Sequence, residues 1–270
     1  MLEIKTQPHS SKPDWKSRLD AYQAGPFKSI NGWVDPVMFV ALAAVQKMHD
    51  VMRIEGSLIE IGVHHGRFFL ALDQLRRDGE PAVAIDVFED QELNIDQSGK
   101  GSRKKFESYL KAHGRSPETT TIIAVDSTQI DSVMIAEKLA RPRCRLFSVD
   151  GCHTAEHTAN DLRIAQKVLT NGGVIFLDDF FSAFWPGVHE GFSRFMLFET
   201  PTVVPFAAIG GKLLLTTLAT HAECLRHYED YMSRFEQFKL KRVRMFGYDV
   251  IAAARMPQQA AKQTSGPSSR

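Results

Sequence analysis

Short apolar runs alternate with longer segments of helical period along most of this chain, and no other sequence feature restricts its fold as strongly. Each run has the length of a buried strand, and each segment between runs carries apolar residues at helical spacing. Strands that alternate with helices in this way form a parallel sheet covered by helices. The five runs are SLIEIG, AVAIDVF, TTIIAV, CRLFSVD and GVIFLDD.

A reversed hairpin is predicted after the fifth strand. The stretch TVVPFAAIGGKLLLTT contains two apolar runs that meet at a Gly-Gly pair, which is typical of an antiparallel hairpin. A further helix is predicted over roughly residues 222–240. We therefore predict an α/β fold, a Rossmann-like three-layer sandwich with a seven-stranded, mostly parallel sheet and an antiparallel C-terminal hairpin strand.

The length and composition are those of an ordinary globular chain with one main domain. With 270 residues and a hydrophobic fraction of 43%, the chain can bury an extensive core. We expect an N-terminal extension over residues 1–30 and the main domain over residues 31–250. Residues 255–270 are rich in Gln, Ser and Pro, so we expect a disordered tail there.

The net charge restricts the partners that we expect, and the N-terminal sequence and the cysteines indicate the compartment. Lys and Arg number 33 against 32 Asp and Glu, so the formal charge of +1 predicts neither nucleic acid nor an anionic membrane as partner. The N-terminus lacks a signal-peptide core, and nowhere do about 18 apolar residues run together. The three cysteines lack the spacing of a disulfide framework, which suits a reducing compartment. We expect a cytoplasmic protein.

Acidic residues close every one of the five predicted parallel strands. Ligands of open parallel sheets bind outside the carboxyl ends of the strands. Any single acid there is explained as a capping or turn residue, but six on one edge indicate a binding site. Two neighbouring carboxylates also repel each other unless a positive group lies between them. The six acids are Glu60, Asp86, Asp126, Asp150, Asp178 and Asp179.

The first two strand ends resemble those of the class I S-adenosylmethionine-dependent methyltransferases, whose sheet ends in the same reversed hairpin. The resemblance lies in EIGVHHG and in the acid that closes the second strand, and the first turn lacks the G-x-G-x-x-G spacing of a dinucleotide site. It implies S-adenosylmethionine as cofactor and a methyltransferase domain over residues 31–250. The implied cofactor contacts are Glu60, Gly62 and Gly66 at the methionine part, Asp86 at the ribose, and Phe88, Asp126 and Ser127 at the adenine.

A narrower resemblance covers the fourth and fifth strands. The stretch VDGCHTAEHTANDLRIAQKVLTNGGVIFLDDFFSAFWPGVHEGF is similar to the metal-dependent sugar O-methyltransferases of the macrocin type and their cephalosporin-hydroxylase-like relatives. The loop DVFEDQELNIDQSGKG resembles the loop that closes over the cofactor in those relatives. The resemblance implies that Asp150, Asp178 and Asp179 bind one divalent cation. Oxygen ligands favour a hard ion such as Mg²⁺ over zinc.

The resemblance also implies a general base. In part of this family a histidine three residues after the strand-four aspartate takes the proton from the substrate hydroxyl, and here that residue is His153. A neutral imidazole is suited to this role, and metal-bound Asp150 completes the predicted catalytic pair. The alternative is a solvent-facing residue at a helix entry. His157 would complete an H-x-x-x-H pair, but the glutamate of a zinc protease motif is absent.

The predicted function is Mg²⁺-assisted methyl transfer from S-adenosylmethionine to a hydroxyl of a small molecule such as a glycoside or natural product. One alternative keeps the fold and cofactor but methylates an amine or carboxylate without metal. Another is a non-catalytic ligand-binding relative, which the cost of burying unused carboxylates disfavours. Relatives of this type often assemble as dimers or larger, which implies a homo-oligomer.

Overall fold

The computed structural model describes residues 13–139 and 143–256, which form one sheet flanked by helices. The predicted tail from residue 257 onward, and residues 1–12 of the predicted extension, lie outside the described residues. None of the described helices is long and apolar enough to cross a membrane. The strands are β1 (Ser57–Ile61), β2 (Ala82–Asp86), β3 (Thr120–Ala124), β4 (Cys144–Val149), β5 (Leu169–Leu177), β6 (Val203–Ile209), β7 (Lys212–Thr217), β8 (Phe238–Met245) and β9 (Tyr248–Arg255). The helices are α1 (Trp15–Ala24), α2 (Pro26–Ser29), α3 (Met38–Met52), α4 (Arg67–Asp73), α5 (Arg103–His113), α6 (Ser132–Lys138), α7 (Ala155–Val168), α8 (Pro186–Phe198) and α9 (His221–Met232).

The strand order is β3-β2-β1-β4-β5-β7-β6-β9-β8. Strands β1 to β5 are mutually parallel, and β7 runs antiparallel to both β5 and β6. The turn between β6 and β7 is made by Gly210 and Gly211, whose φ angles of 59° and 87° are easily adopted by glycine. The predicted α/β fold with a reversed hairpin strand is therefore confirmed.

The chain end differs from the prediction, because the sheet has nine strands where seven were expected. The helix predicted over residues 222–240 ends at Met232, and β8 and β9 form a second hairpin that continues the sheet beyond β6. The sequence FKLKRVRM alternates apolar and basic residues through much of its length, as a half-buried strand does. The turn at Phe246 and Gly247 has positive φ at both residues, 51° and 87°.

Two hydrophobic clusters lie on the two faces of the sheet. Helices α1 to α5 and α9 contribute to one cluster, and α6, α7 and α8 contribute to the other. The three layers follow from strands that are apolar on both sides and helices that are apolar on one stripe. Helices α1 and α2 belong to the first cluster through Leu19, Tyr22 and Phe27, so the described part of residues 1–30 packs on the main core.

Candidate active site

A cavity of about 960 Å³ lies at the carboxyl ends of the parallel strands. Parallel strands end at the same edge of the sheet, so their terminal residues converge there. Eleven residues were predicted for the site, and nine of them line this cavity. The nine are Glu60, Gly62, Asp86, Asp126, Ser127, Asp150, His153, Asp178 and Asp179.

Gly66 and Phe88 are the two predicted cofactor contacts that do not line this cavity. Gly66 is the N-cap of α4 and has a φ of 88°, and a Cβ at this position would lie 2.6 Å from the ring of Phe106. The Phe88 side chain is only 1% exposed and stacks on Phe106 with 6.1 Å between ring centroids. Both residues therefore pack towards the core beneath the cavity, and the Phe88 ring faces the core in this structure.

Asp86 closes β2 and accepts two backbone hydrogen bonds. The N–H of His64 donates to Oδ2 and the N–H of Phe88 donates to Oδ1, each at 2.6 Å. Burial nevertheless raises the pKa of Asp86, because the two hydrogen bonds do not fully offset the loss of solvent. Each carboxylate oxygen can accept a second hydrogen bond, so Asp86 can still bind a hydroxyl in the cavity.

Glu60 is a buried carboxyl next to Ser148, and no described residue donates to it with ordinary hydrogen-bond geometry. Its side chain lines the cavity and the residue is only 1% exposed. Burial raises the pKa of Glu60 to about 8, although the charge of Lys212 opposes the rise. Buried polar groups are nearly always hydrogen-bonded in proteins. Glu60 is thus poised to accept a donor from a ligand.

Asp126 and Ser127 lie at the start of a short 3₁₀ helix, Ser127–Gln129. Asp126 Oδ1 accepts the backbone N–H of Thr128 at 2.8 Å, which fixes the turn. His157 on α7 places Nε2 3.4 Å from the same oxygen, while its Nδ1 lies 2.7 Å from Thr154 Oγ1. These contacts hold the cavity wall next to the carboxyl end of β3.

A lysine lies between the carboxylates that end β4 and β5. The Nζ atom of Lys212 contacts Asp178 Oδ2 and lies 3.5 Å from Asp150 Oδ2. Burial and the neighbouring charge of Asp178 raise the pKa of Asp150 well above its usual value. Burial would also raise the pKa of Asp178, but the charge of the Lys212 ammonium outweighs burial and lowers that pKa. The pair therefore keeps a proton on Asp150 to higher pH than on Asp178.

A left-handed backbone turn at Asp179 separates its carboxylate from the Asp150–Asp178 pair. Its φ of 53° is left-handed, a conformation that aspartate tolerates better than most residues, and its N–H donates to Asp178 Oδ1 at 2.8 Å. Adjacent side chains of a regular strand point to opposite faces. This turn at the end of β5 is what brings both neighbouring carboxylates to the cavity.

His153 is held between two carboxylates and against an indole ring. Nδ1 lies 2.7 Å from Asp96 Oδ2, Nε2 lies 3.1 Å from Asp179 Oδ2, and the ring stacks on Trp185 with centroids 4.3 Å apart. Burial would lower the pKa of His153, but the hydrogen bonds to Asp179 and Asp96 outweigh it, so the pKa is raised. At Asp96, burial is likewise outweighed by hydrogen bonds from His153 and Ser98, and the pKa falls to about 2.

Two of these groups, Lys212 and Asp96, were not predicted as site residues. Lys212 carries a signal, since it is a charged residue at the head of the apolar run KLLLTT, directly after the Gly-Gly turn. Asp96 has none of its own, and only the likeness of its loop to a cofactor-covering loop pointed to this segment. Both depend on contacts between segments that are distant along the chain.

The donor set that faces one shared space differs from the three predicted metal ligands. Ligand atoms of Asp150, His153 and Asp179 lie within 4.8 Å of one another. Asp178 accepts from Lys212 on one oxygen and from the N–H of Asp179 on the other. The structure thus brings all three predicted carboxylates to the cavity, but it engages Asp178 with a protein cation.

Comparison with known proteins agrees with this site. Residues 59–180 match the family described as a methyltransferase domain, a span that runs from β1 past the two aspartates at the end of β5. This part of the chain is a methyltransferase domain. The predicted class, the S-adenosylmethionine-dependent methyltransferases, is thereby confirmed, and the chain is an enzyme of that class.

Solved structures resemble the methyltransferase domain and its surroundings at low sequence identity. The O-methyltransferase NovP is 12% identical, with a TM-score of 0.52 over 66% of this chain and 80% of its own, and it shows the shared fold. The calicheamicin methyltransferase CalS11 is 16% identical, with a TM-score of 0.46 over 79% and 94%. An O-methyltransferase from Bacillus cereus in complex with SAH is 14% identical, with a TM-score of 0.48 over 78% and 93%. No curated protein matches the sequence.

Proposed function

We propose that this enzyme transfers a methyl group from S-adenosylmethionine to a hydroxyl of a small molecule such as a glycoside or natural product. The observation that carries the proposal is His153, held at the cavity wall by Asp96 and Asp179. A hydroxyl must lose its proton to become a good nucleophile near neutral pH, and a positioned histidine supplies the base. A carboxylate acceptor is already ionised and needs none, which favours a hydroxyl.

The residues present fit the cofactor. Glu60 offers two buried carboxyl oxygens that no described residue fully engages, which suit the amino group of S-adenosylmethionine, and Asp86 offers acceptors for ribose hydroxyls. When bound, S-adenosylmethionine supplies an electrophilic methyl group on a sulfonium sulfur. Asp126 and Ser127 line the same cavity and are proposed to border the adenine.

His153 is proposed to accept the hydroxyl proton, and Asp96 is proposed to orient the ring. In the neutral ring, Nδ1–H donates to Asp96, so the lone pair is on Nε2. Nε2 lies 3.1 Å from Asp179 Oδ2 in this structure, and it can accept the hydroxyl proton once the acceptor hydroxyl replaces that contact. As the acceptor oxygen forms its new bond to the methyl carbon, the methyl–sulfur bond of the cofactor would break with its electron pair left on sulfur, and the hydroxyl proton would come to rest on Nε2. Asp96 stabilises the imidazolium that results and keeps the ring in one orientation. Asp96 is therefore a positioning residue.

A divalent cation is proposed to assist at the same wall. Mg²⁺ is commonly held by one or two carboxylates, with waters and substrate oxygens completing its shell, so Asp150 and Asp179 suffice and His153 stays free as base. The ion would lower the pKa of an acceptor hydroxyl that it touches. This role for Mg²⁺ is distinct from cofactor binding and is tested by chelation and re-addition of the ion.

The acceptor is proposed to lie against aromatic side chains. Trp33 and Phe184 line the cavity although they are 71% and 87% exposed, and Trp185 stacks on the proposed base. Exposed aromatic rings beside a cavity favour binding of flat or apolar molecular faces. Incubation with S-adenosylmethionine and a panel of hydroxylated glycosides and aromatics, followed by mass spectrometry, tests the proposal. A new methyl ether supports it, whereas methylation of an amine or carboxylate alone contradicts it.

The Asp86→Ala variant is expected to bind S-adenosylhomocysteine more weakly by about 1.5–3 kcal/mol, the range for hydrogen bonds to a charged group. Titration calorimetry measures this difference. Asp90→Ala, which removes an exposed acid from the same loop, is the matched control and should bind as the wild type does. Equal affinities for both variants would contradict the ribose contact, provided that thermal melting shows both to be folded.

The pH dependence of kcat/KM should report His153. Only the neutral ring accepts a proton, and the carboxylates of Asp179 and Asp96 raise its pKa above the usual 6.5. Activity is therefore expected to rise with pH through a pKa higher than 6.5. In Asp96→Asn, which loses one of the two charges, the rise should move to lower pH. A profile that is identical in both proteins would contradict the assignment.

A further inference from the structure

Lys212 is buried beside Asp150 and Asp178, at the edge of the sheet where the metal ion is proposed to bind. Antiparallel pairing of Leu177 with Leu213 sets Lys212, at the start of β7, opposite Asp178, the residue that follows β5. The Lys212 side chain is 2% exposed, and its Nζ lies 4.3 Å from the centroid of the Phe68 ring. A lysine is almost never buried to this extent unless it is paired.

Lys212 is paired with two of the three carboxylates that the family resemblance implied as metal ligands. Its Nζ contacts Asp178 Oδ2 and lies 3.5 Å from Asp150 Oδ2. The remaining oxygen of Asp178 accepts the N–H of Asp179. A divalent ion between Asp150 and Asp178 would have to displace the ammonium or tolerate it as a close like charge. Within the described part of the chain, no lysine or arginine pairs with Asp179, and its carboxylate faces His153.

We propose that Lys212, which contacts Asp178 and lies farther from Asp150, is the resident cation of Asp178, and that it reduces the metal site from three carboxylates to two, Asp150 and Asp179. Lys212 thereby acts as a positioning residue that keeps Asp178 out of the ion's coordination shell. The inference concerns the cavity of the proposed function, but its test needs no turnover. Failure of the two proposals is therefore distinguishable.

Binding of Mn²⁺, followed by electron paramagnetic resonance of the free ion, tests this on wild type, Asp178→Asn and Asp179→Asn. Asp178→Asn should bind Mn²⁺ as the wild type does, because Asp178 is not a ligand. Asp179→Asn should bind at least about tenfold more weakly. If Asp178→Asn loses as much affinity as Asp179→Asn, the three-aspartate site is restored and the proposal is overturned.

Removal of the ammonium gives the complementary test. Lys212→Met frees Asp178 to join the ligand set, so Mn²⁺ affinity should rise about tenfold or more, and Mn²⁺ should raise the melting temperature of the variant. Lys105→Met, which removes an exposed charge of α5 near His64, is the matched control and should bind Mn²⁺ as the wild type does.

If Lys212→Met does not fold, Lys212→Met/Asp178→Asn replaces it and should show wild-type Mn²⁺ affinity. Unchanged affinity in folded Lys212→Met, or weakened affinity in the double variant, contradicts the proposal. Binding of S-adenosylhomocysteine to the same proteins tests the proposed function separately.

Discussion

Replacement of His153 with alanine is expected to slow methyl transfer by about 10²–10⁴-fold near neutral pH, the usual contribution of a general base. The loss should fall on kcat, while the affinity for S-adenosylhomocysteine stays unchanged, because His153 is proposed to touch the acceptor hydroxyl. The residual rate should rise with pH as hydroxide replaces the missing base. Single-turnover assays from pH 6 to 9, a range spanning the usual His pKa of about 6.5, measure both effects.

His189→Ala is the matched control for this experiment. His189 is an exposed histidine on α8 whose ring lies 5.0 Å from that of Phe180, and it does not line the cavity. Its loss should leave the rate unchanged. If His153→Ala retains the wild-type rate, or if its loss equals that of His189→Ala, His153 is not the base and hydroxyl methylation loses its main support.

The Lys212→Met variant is expected to unfold with about 3–5 kcal/mol less free energy than the wild type, the cost of breaking a buried ion pair. The loss arises because Asp178 keeps a buried charge after its counter-ion is removed. Urea denaturation in the presence of a chelator measures the difference. The chelator matters, because bound metal would stabilise the folded variant.

Two further variants identify the origin of this loss. Lys239→Met removes an exposed lysine of β8 and should change the free energy of unfolding by no more than about 0.5 kcal/mol. Lys212→Met/Asp178→Asn removes both charges, so it should recover much of the stability. A double variant that is as unstable as Lys212→Met would show that the lysine stabilises through its aliphatic packing on Phe68 instead.

Local patterns predicted most of the fold. The five parallel strands and the β6–β7 hairpin are visible in the sequence because burial on two faces demands continuous apolar runs, and the tight turn demands glycine. The β8–β9 hairpin was missed because FKLKRVRM is half basic and only half-buried, so its strand pattern is weak. The helix predicted over residues 222–240 was wrong at its C-terminal end, where pairing of β8 with β9 outweighs local preference.

The sequence predicted where the site lies, but it did not predict which side chains of the site contact one another. The acids close strands that end at one edge, so their meeting in one cavity is a consequence of the parallel sheet. The orientation of Phe88 away from that cavity was not visible, since it depends on packing against Phe106 from α5. Asp96 reaches His153 across 57 positions of sequence, through the path of a loop.

The sequence by itself determined the fold class, the edge that carries the chemistry, and the acids and histidine that lie there, because periodicity and strand ends are local properties. Only the tertiary structure decided which cation faces Asp178. That choice depends on the antiparallel register of β5 and β7, which sets Lys212 against the end of β5. Register is fixed by the turn and by packing on both faces of the sheet, and no single segment of sequence contains it.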